Sequence, residues 1–257
     1  MRVAVLVKQV PDSWAVKRLR AGDLRLARDA CDRVLNDLDE YAIEQALVWQ
    51  EQQGAEVILI SMGPGSAEEA LRRGLSMGAD AAVLVSDDAL AGADALATAR
   101  VLAAAVQKVA PDVVLCGVKS TDAGMSVVPG MVATALGWPG LTHAAAVDVI
   151  DGAVQVRRET EHVAADLRCA LPALVSVVEK INTPRYPNFK GILAAKKKQI
   201  DVWGLADIGV SSAEVAASTH IKVGTELPAR SGGVQVVDAG GDSAAGLVAF
   251  LEGRKVI

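Results

Sequence analysis

A polar loop in the middle of the chain carries the residue types best suited to holding an anion. It spans residues 117–124 (GVKSTDAG) and follows a short apolar run at residues 113–116. Ser120 and Thr121, with Ser126 just beyond the loop, can donate hydroxyl hydrogen bonds, and the glycine at each end lets the backbone approach a ligand closely. These features suit a phosphate group.

The elements on either side of the loop have to position it. The β-branched run predicts a strand buried on both faces, and the apolar spacing from Met125 to Leu136 predicts a helix. Because the first N–H groups of a helix lack intrahelical partners, this unit forms an anion site, where Asp122 can cap the helix or accept a hydrogen bond from a sugar hydroxyl. An ordinary βα loop with a polar cap is the alternative, since neither GxGxxG nor GxxxxGK[ST] occurs.

Strand and helix patterns alternate along the first half of the chain. Apolar runs predict strands at residues 3–7, 56–61, 81–85 and 113–116. Helical spacing predicts helices at residues 35–52, 66–77, 94–110 and 125–136. We expect side-chain caps from Asn36 or Asp37 and from Asp94, and a capping box between Ser66 and Glu69. This order predicts an α/β fold with a doubly wound, mostly parallel, Rossmann-like sheet.

Ligands of such sheets bind beyond the carboxyl ends of the strands. The segments that converge there are residues 8–12, 61–65 and 117–122. Lys8 can neutralise a phosphate at this edge, although a lysine just past a strand is also commonly only solvated. Pro11 is expected to end the first strand because it has no N–H to donate to a ladder.

The second half of the chain has a different character. Residues 142–158 predict a hairpin with a type I′ turn at Asp151-Gly152, and residues 172–178 predict another buried strand. We expect one domain at residues 1–203. The remaining residues, 204–257, show little periodicity apart from a short helix at 242–251, and they predict an extended C-terminal arm that packs on a partner subunit.

Residues 181–198 (INTPRYPNFKGILAAKKK) form the second informative stretch. Prolines and a glycine keep its first half irregular, yet it carries Tyr186, Phe189 and Ile192, which a solvent-facing loop would not need. It ends in a basic cluster made of Lys196, Lys197 and Lys198. An apolar anchor with a positive rim predicts a docking surface for an acidic partner; the alternative is a loop folded back on its own core.

Composition disfavours several classes of function. A net charge of -5 and a pI near 5.3 argue against nucleic-acid binding, which needs clustered Lys and Arg. Three scattered cysteines predict neither disulfides nor a metal site. No nucleophile pairs with His143, His162 or His220, so no catalytic residues are predicted. The N-terminus lacks the features of a signal peptide and no stretch approaches a membrane span, which predicts a cytoplasmic chain without membrane insertion.

Four stretches, taken in order, resemble the beta subunit of electron transfer flavoproteins, particularly the actinobacterial type. They are RVAVLVKQVPD from residue 2, NDLDEYAIEQAL from residue 36, CGVKSTDAG with LGWPGLTH between residues 116 and 143, and residues 181–198. The resemblance covers essentially the full chain. It implies an adenine-nucleotide-binding subunit that carries AMP and pairs obligatorily with an alpha subunit holding the redox-active FAD.

The implied function is that of an electron carrier without substrate turnover of its own. It would move electrons from flavin dehydrogenases, such as the acyl-CoA dehydrogenases of fatty acid oxidation, toward a quinone reductase. By this resemblance, Leu38 and Ser13 approach the flavin ring with Trp14 beside them, and Phe189 is the anchor that enters a dehydrogenase. The implied cofactor-binding positions are Leu6, Lys8, Asn36, Asp37, Leu38, Asp39, Met62, Cys116, Gly117, Ser120, Thr121, Asp122, Ala123, Gly124, Met125, Ser126, Val127, Val128 and Met131.

The chain also departs from the best-known members. Residues 122–124 and 127–130 stand where those members carry an acidic triplet and a Gln-containing element, so backbone N–H groups are expected to bind more of the phosphate. Residues 161–163 replace an acidic-Gly-Gly turn, which predicts a different backbone there. Two alternatives stay open: a bifurcating type with a second FAD in place of AMP, and an ATP-binding enzyme or stress-type nucleotide-binding module. The enzyme is disfavoured because no SGGxDS loop follows the first strand.

Overall fold

The structure, a computed structural model, describes residues 1–215, 221–225, 238 and 240–256. Its contacts divide the chain into two units, Met1–Lys222 and Val223–Ile257. The strands of the first unit are β1 (Arg2–Leu6), β2 (Gln9–Pro11), β3 (Arg33–Leu35), β4 (Glu56–Met62), β5 (Ala81–Val85), β6 (Val113–Gly117), β7 (Gly140–Ile150), β8 (Ala153–Glu159), β9 (Ala164–Ala170), β10 (Ala173–Val177) and β11 (Ile200–Trp203). Its α-helices are α1 (Asp37–Gln53), α2 (Glu68–Met77), α3 (Ala95–Val109), α4 (Val128–Leu136) and α5 (Phe189–Lys197).

Nine of these strands form one sheet in the order β11-β5-β4-β1-β6-β10-β7-β8-β9. The pairs from β11 through β7 are parallel, whereas β7, β8 and β9 are antiparallel. Helices α1 and α2 cover one face of the sheet, and α3 and α4 cover the other. The prediction of a doubly wound, mostly parallel α/β fold is therefore confirmed.

The central strands show why continuous apolar runs are needed in this sheet. In β1, Val3 and Val5 pack toward α1 and α2, whereas Ala4 and Leu6 pack toward α3 and α4. Both faces of such a strand are buried, and each fully buried Val or Leu side chain contributes about 1.5–3 kcal/mol to folding. β6 is buried along its whole length in the same way.

The hairpin prediction is confirmed, and the sheet continues beyond it. Asp151 and Gly152 join β7 to β8 with φ values of 50° and 72°, as a type I′ turn requires. β9 then adds a further antiparallel strand, which was not predicted because its residues, AADLRCA, are mostly small, include no β-branched or aromatic side chain, and are partly exposed. The turn before β9 is closed by Thr160, whose Oγ1 accepts from the Val163 N–H at 3.1 Å.

Local predictions around the helices have mixed outcomes. Asp94 caps α3 through the Ala97 N–H at 2.9 Å, as expected. The predicted capping box before α2 is wrong, because Ser66 Oγ donates to Gln9 Oε1 at 3.1 Å instead of binding the helix. Gln9 belongs to the short antiparallel ribbon of β2 and β3, which was not foreseen. The prediction that Pro11 ends the first strand is wrong, because β1 ends at Leu6 and Pro11 is the last residue of β2.

Residues 204–215 contact the core of the first unit. Leu205 and Val215 are buried in the cluster that contains α3 and α4. In the second unit, α6 (Ser243–Gly253) agrees with the helix predicted at 242–251, and none of its described side chains is buried. Residues 216–220 and 226–237, which include His220 and much of the predicted arm, lie outside the described residues. No helix in the described ranges is both long and apolar enough to cross a membrane.

Candidate functional site

The carboxyl ends of β1 and β6 lie side by side at the point where the chain connections diverge. From β1 the chain passes through α1 to β4 on one side, whereas β6 leads toward β10 and β7 on the other. Open α/β sheets bind ligands at such a switch point. Lys8 and the loop at residues 117–124 both follow these two strand ends, so the sheet brings the predicted anion-binding segments together.

A charged cluster joins the two strand ends. Lys8 Nζ donates to Asp122 Oδ1 at 2.8 Å and to Ser120 Oγ at 3.3 Å. Arg28 donates to Asp122 Oδ2 from Nε at 3.1 Å and from Nη2 at 2.6 Å. Burial alone would raise the pKa of the Asp122 carboxyl, but the charge of Lys8 and hydrogen bonds from Lys8, Arg28 and Ser120 hold that pKa below its usual range. Asp122 thus balances two cations, and the prediction that it caps a helix is wrong.

Two polar side chains at the start of α1, Asn36 just before the helix and Asp39 in its first turn, bind the same two strand ends. Asn36 is buried; its Oδ1 accepts from the Thr121 N–H at 3.0 Å and its Nδ2 donates to the Lys119 carbonyl at 3.1 Å. The predicted side-chain cap from Asn36 or Asp37 is therefore wrong, because the Asn36 amide binds the loop at residues 117–124 and α1 has no side-chain cap.

Asp39 is the second of these polar side chains. Its Oδ2 accepts from the Lys8 N–H at 2.8 Å and its Oδ1 from the Gly117 N–H at 3.1 Å. Burial raises the pKa of Asp39 to about 7, although the hydrogen bonds from Asn36, Lys8 and Gly117 oppose that rise. Gly117 has to be glycine, since a Cβ there would lie 2.6 Å from Asp39 Oδ1 and 2.8 Å from the Leu38 carbonyl carbon.

The helix after the loop begins later than the sequence predicts. α4 starts at Val128 rather than Met125. Ser126 has a φ of 56°, a left-handed conformation that cannot belong to a right-handed helix, so the helix begins after it. No side chain caps α4. Within the described residues, the N–H groups of Ser126, Val127, Val128 and Gly130 meet no hydrogen-bond acceptor. An uncapped helix start with free N–H groups is a strong anion site.

The remaining predicted cofactor positions fall into three groups. Leu6 and Cys116 are buried side by side in the core beneath the edge, and Met62, Val128 and Met131 are partly buried on the α3 and α4 face. The exposed group consists of Asp37, Ala123, Gly124 and Met125.

Two of the positions expected near a flavin differ in exposure. Leu38 is buried against Gly117, whereas Trp14 is 95% exposed. Arg28 was missed by the sequence analysis, because it lies in a segment without periodicity or motif.

The segment at residues 181–198, called the docking segment below, presents its apolar side chains to solvent. Tyr186 is 89% exposed and Phe189 is 76% exposed. Its second half forms α5, which Asn188 caps through the Gly191 N–H at 2.8 Å. Lys196 and Lys197 are exposed, whereas Lys198 Nζ donates to the Ala79 carbonyl. Its exposed basic rim therefore includes Lys196 and Lys197 but not Lys198.

Comparisons with known proteins decide the family. The family model described as "Electron transfer flavoprotein domain" matches residues 23–208. The chain belongs to the electron transfer flavoprotein family. It is similar to the electron transfer flavoprotein subunit beta of Mycobacterium leprae, with 42% identity over 99% of each chain, and to that of Mycobacterium tuberculosis strain H37Rv, with 41% identity over 99% of each chain. The predicted resemblance to electron transfer flavoprotein beta subunits is confirmed.

A third electron transfer flavoprotein relative carries a different name. The caffeyl-CoA reductase-Etf complex subunit CarD of Acetobacterium woodii is 35% identical over the full length of both chains.

Proposed function

We propose that this electron transfer flavoprotein chain binds AMP at the carboxyl edge of its sheet and forms the beta half of a heterodimer. The uncapped start of α4 carries the proposal, because its free N–H groups can donate hydrogen bonds to a phosphate without help from side chains. Lys8, Ser120 and Thr121 line the same loop and add a positive charge and hydroxyl groups. The Asn36 and Asp39 hydrogen bonds hold this loop against α1.

The alpha subunit is proposed to hold FAD, which supplies the electron storage when it is bound. This chain would then help to position the FAD of the alpha subunit, and we propose that it turns over no substrate of its own. The segment around Ser13 and Trp14 is proposed to lie against the flavin or the alpha subunit, since Trp14 and Val16, two residues apart, are 95% and 71% exposed. Residues 204–215 belong to this chain's own core, so the proposed arm is shorter than predicted: exposed apolar side chains on α6, namely Leu247, Val248 and Phe250, support the proposal that residues 223–257 pack on the alpha subunit.

The docking segment is proposed to bind flavin dehydrogenases, such as acyl-CoA dehydrogenases. Phe189 is the proposed anchor, because it lies at the start of α5, is largely exposed, and has Tyr186 and Ile192 nearby in sequence. Exposed Lys190, Lys196 and Lys197 give the surface a positive rim that suits an acidic partner. Electrons would then pass to a quinone reductase.

A bifurcating type with FAD in place of AMP is the second candidate, favoured by the full-length similarity to the caffeyl-CoA reductase-Etf subunit. One experiment separates the two. The purified alpha–beta complex is denatured and the released nucleotides are separated by chromatography. We expect one AMP and one FAD per heterodimer. Two FAD without AMP would establish the bifurcating alternative, and one FAD with no second nucleotide would contradict the proposed site.

A further inference from the structure

Two apolar side chains of the docking segment, Ile181 and Ala195, pack against the core of the first unit, whereas its larger ones give it little attachment. Tyr186, Phe189, Ile192 and Leu193 are exposed, and Ala195 is the buried residue of α5. A segment that turns its apolar groups outward gains little from burial, and it stays ordered only if other contacts hold it. The structure shows which contacts these are.

Arg185 attaches the first half of the segment to α1. Its Nε donates to Glu44 Oε2 and its Nη2 to Glu44 Oε1, both at 2.8 Å, while Nη1 donates to Glu51 Oε1 at 2.5 Å. The Arg185 backbone N–H also donates to Glu44 Oε2, at 3.0 Å. The Glu44 side chain is only 8% exposed, and such a bidentate pair fixes orientation as well as distance.

The second half of the segment is attached to α2. Arg72 donates to the carbonyls of Ala195 and Lys198, at the C-terminal end of α5. Gly191 lies so close to α2 that a Cβ would collide with the Ser76 carbonyl oxygen. Polar contacts therefore hold the segment at both ends, and the exposed Tyr186 and Phe189 lie between them in the chain.

We propose that Arg185 is a positioning residue for docking: with Glu44 it holds Tyr186 and Phe189 in a fixed, outward-facing arrangement. The expected partner surface is an apolar pocket with acidic side chains at its rim. A partner binds such a segment in proportion to the fraction of time that the segment is correctly arranged, so loosening it weakens binding without altering the groups that touch the partner. This inference rests on the proposed docking role of residues 181–198.

The test uses the complete alpha–beta complex with a flavin dehydrogenase as electron donor. In Arg185→Gln we expect the carrier concentration that gives half the maximal rate to rise on the order of 10-fold, with the maximal rate and the nucleotide content unchanged. Arg185→Lys keeps the charge but loses the fork and should be intermediate. Arg157→Gln is the matched control and should have no effect, because it removes an exposed arginine of β8 that pairs with Glu159 and with Asp166 of β9.

A double variant decides whether Arg185 acts through the anchor. If it does, Arg185→Gln together with Phe189→Ala should dock no more weakly than Phe189→Ala alone. Fully additive effects, or an unchanged half-maximal concentration in Arg185→Gln, would overturn the inference while leaving the docking role intact. An unchanged value in Phe189→Ala alone would instead overturn the docking role itself.

Hydrogen exchange separates positioning from general unfolding. In Arg185→Gln the backbone N–H groups of α5 should exchange several-fold faster while those of α3 keep their protection. If Arg185→Gln loses protection throughout the chain, Glu51→Gln is used instead, because it removes only the exposed half of the network. That variant should raise the half-maximal concentration by a smaller factor, and no change in it would also count against the inference.

Discussion

At the carboxyl edge of the sheet, charged side chains lie among the proposed ligand-binding groups and are paired with one another, since Lys8 and Arg28 share Asp122. In the docking segment the arrangement is reversed. There the main ion pair, Arg185 with Glu44, lies beneath the segment, and apolar side chains form the surface. The same types of residue thus serve recognition in one region and attachment in the other.

The difference follows from what each region is proposed to bind, an anion in the first and a partner protein in the second. An anion site needs donors that are still free, and the backbone of α4 supplies them while Asp122 neutralises part of the nearby positive charge. A docking site needs apolar area that stays uncovered, so its attachment cannot come from burying that same area. Four variants or conditions test this contrast, and they follow in order of decreasing expected effect.

Gly117→Ala should have the largest effect, because the new methyl group would overlap the Leu38 backbone and the Asp39 carboxylate, neither of which can move away. We expect a loss of more than about 4 kcal/mol in the free energy of unfolding, with loss of bound nucleotide. Thermal melting of the complex measures it. Gly130→Ala in α4 is the matched control, since nothing lies near its Cβ position and alanine favours a helix by up to about 1 kcal/mol. Equal melting temperatures for the two variants would contradict the close packing.

The pH dependence of stability should reveal Asp39. Its pKa is about 7 in the folded chain and about 3.9 when unfolded, so between these values the folded state holds a proton that the unfolded state has released. Stability should therefore fall as the pH rises from 4 to 7, by at most about 1.4 kcal/mol per pH unit.

Urea unfolding at several pH values, in the wild type and in Asp39→Asn, checks this slope. The variant should lack it. Asp122 acts in the opposite direction and in a different range: its pKa is lowered, so the stability that it contributes is lost only as the pH falls below its ordinary value. If the free energy of unfolding depended on pH in the same way in wild type and Asp39→Asn above pH 4, Asp39 would already be charged in the folded chain and the prediction would be wrong.

Phe189→Ala should weaken docking to a dehydrogenase by roughly 10- to 100-fold, because burying such a side chain in a partner contributes about 1.5–3 kcal/mol. The dependence of the electron-transfer rate on carrier concentration measures it. Melting temperature and nucleotide content should not change, since the side chain is exposed in the free chain. Val163→Ala, at an exposed valine in the turn before β9, is the control and should dock normally. A large drop in melting temperature would mean that Phe189 supports the fold.

Ser126→Glu should have the smallest effect. A carboxylate just before α4 competes with a phosphate for the same N–H groups, and the helix-end charge is worth roughly 0.3–2 kcal/mol. We expect lower AMP occupancy after gel filtration. Ser126→Gln has the same size and the same backbone strain without the charge, and it should retain more nucleotide. Equal, full occupancy in both variants would place the phosphate away from α4.

A residue's role could be predicted from the sequence where that residue contacts its neighbours in sequence, and not where it contacts residues far along the chain. The buried runs of β1, β4 and β6 and the Asp94 cap depend on neighbours in sequence, and they were predicted correctly. Asn36 and Ser66 have strong local capping tendencies, worth about 0.5–2 kcal/mol. In the fold, however, they bind groups more than fifty residues away, at Thr121 and Gln9 respectively.

The candidate site follows the same rule. The sequence indicated Lys8, Ser120 and Asp122 as polar residues at strand ends, because parallel strands bring their carboxyl ends together. It could not show that Arg28 would pair with Asp122 across 94 residues. It also could not show that Ser126 takes a positive φ and delays α4, since the apolar spacing from Met125 onward fits a helix equally well.

The place of β11 in the sheet has a consequence for synthesis on the ribosome. Its residues, Ile200–Trp203, cover the outer edge of β5, which ends about 115 residues earlier. At roughly 5–20 residues per second, the open edge of β5 waits on the order of 10 s for its neighbour to emerge. An uncovered strand edge is where chains pair wrongly with one another. Slow translation between these two segments would therefore lengthen the time in which nascent chains can aggregate.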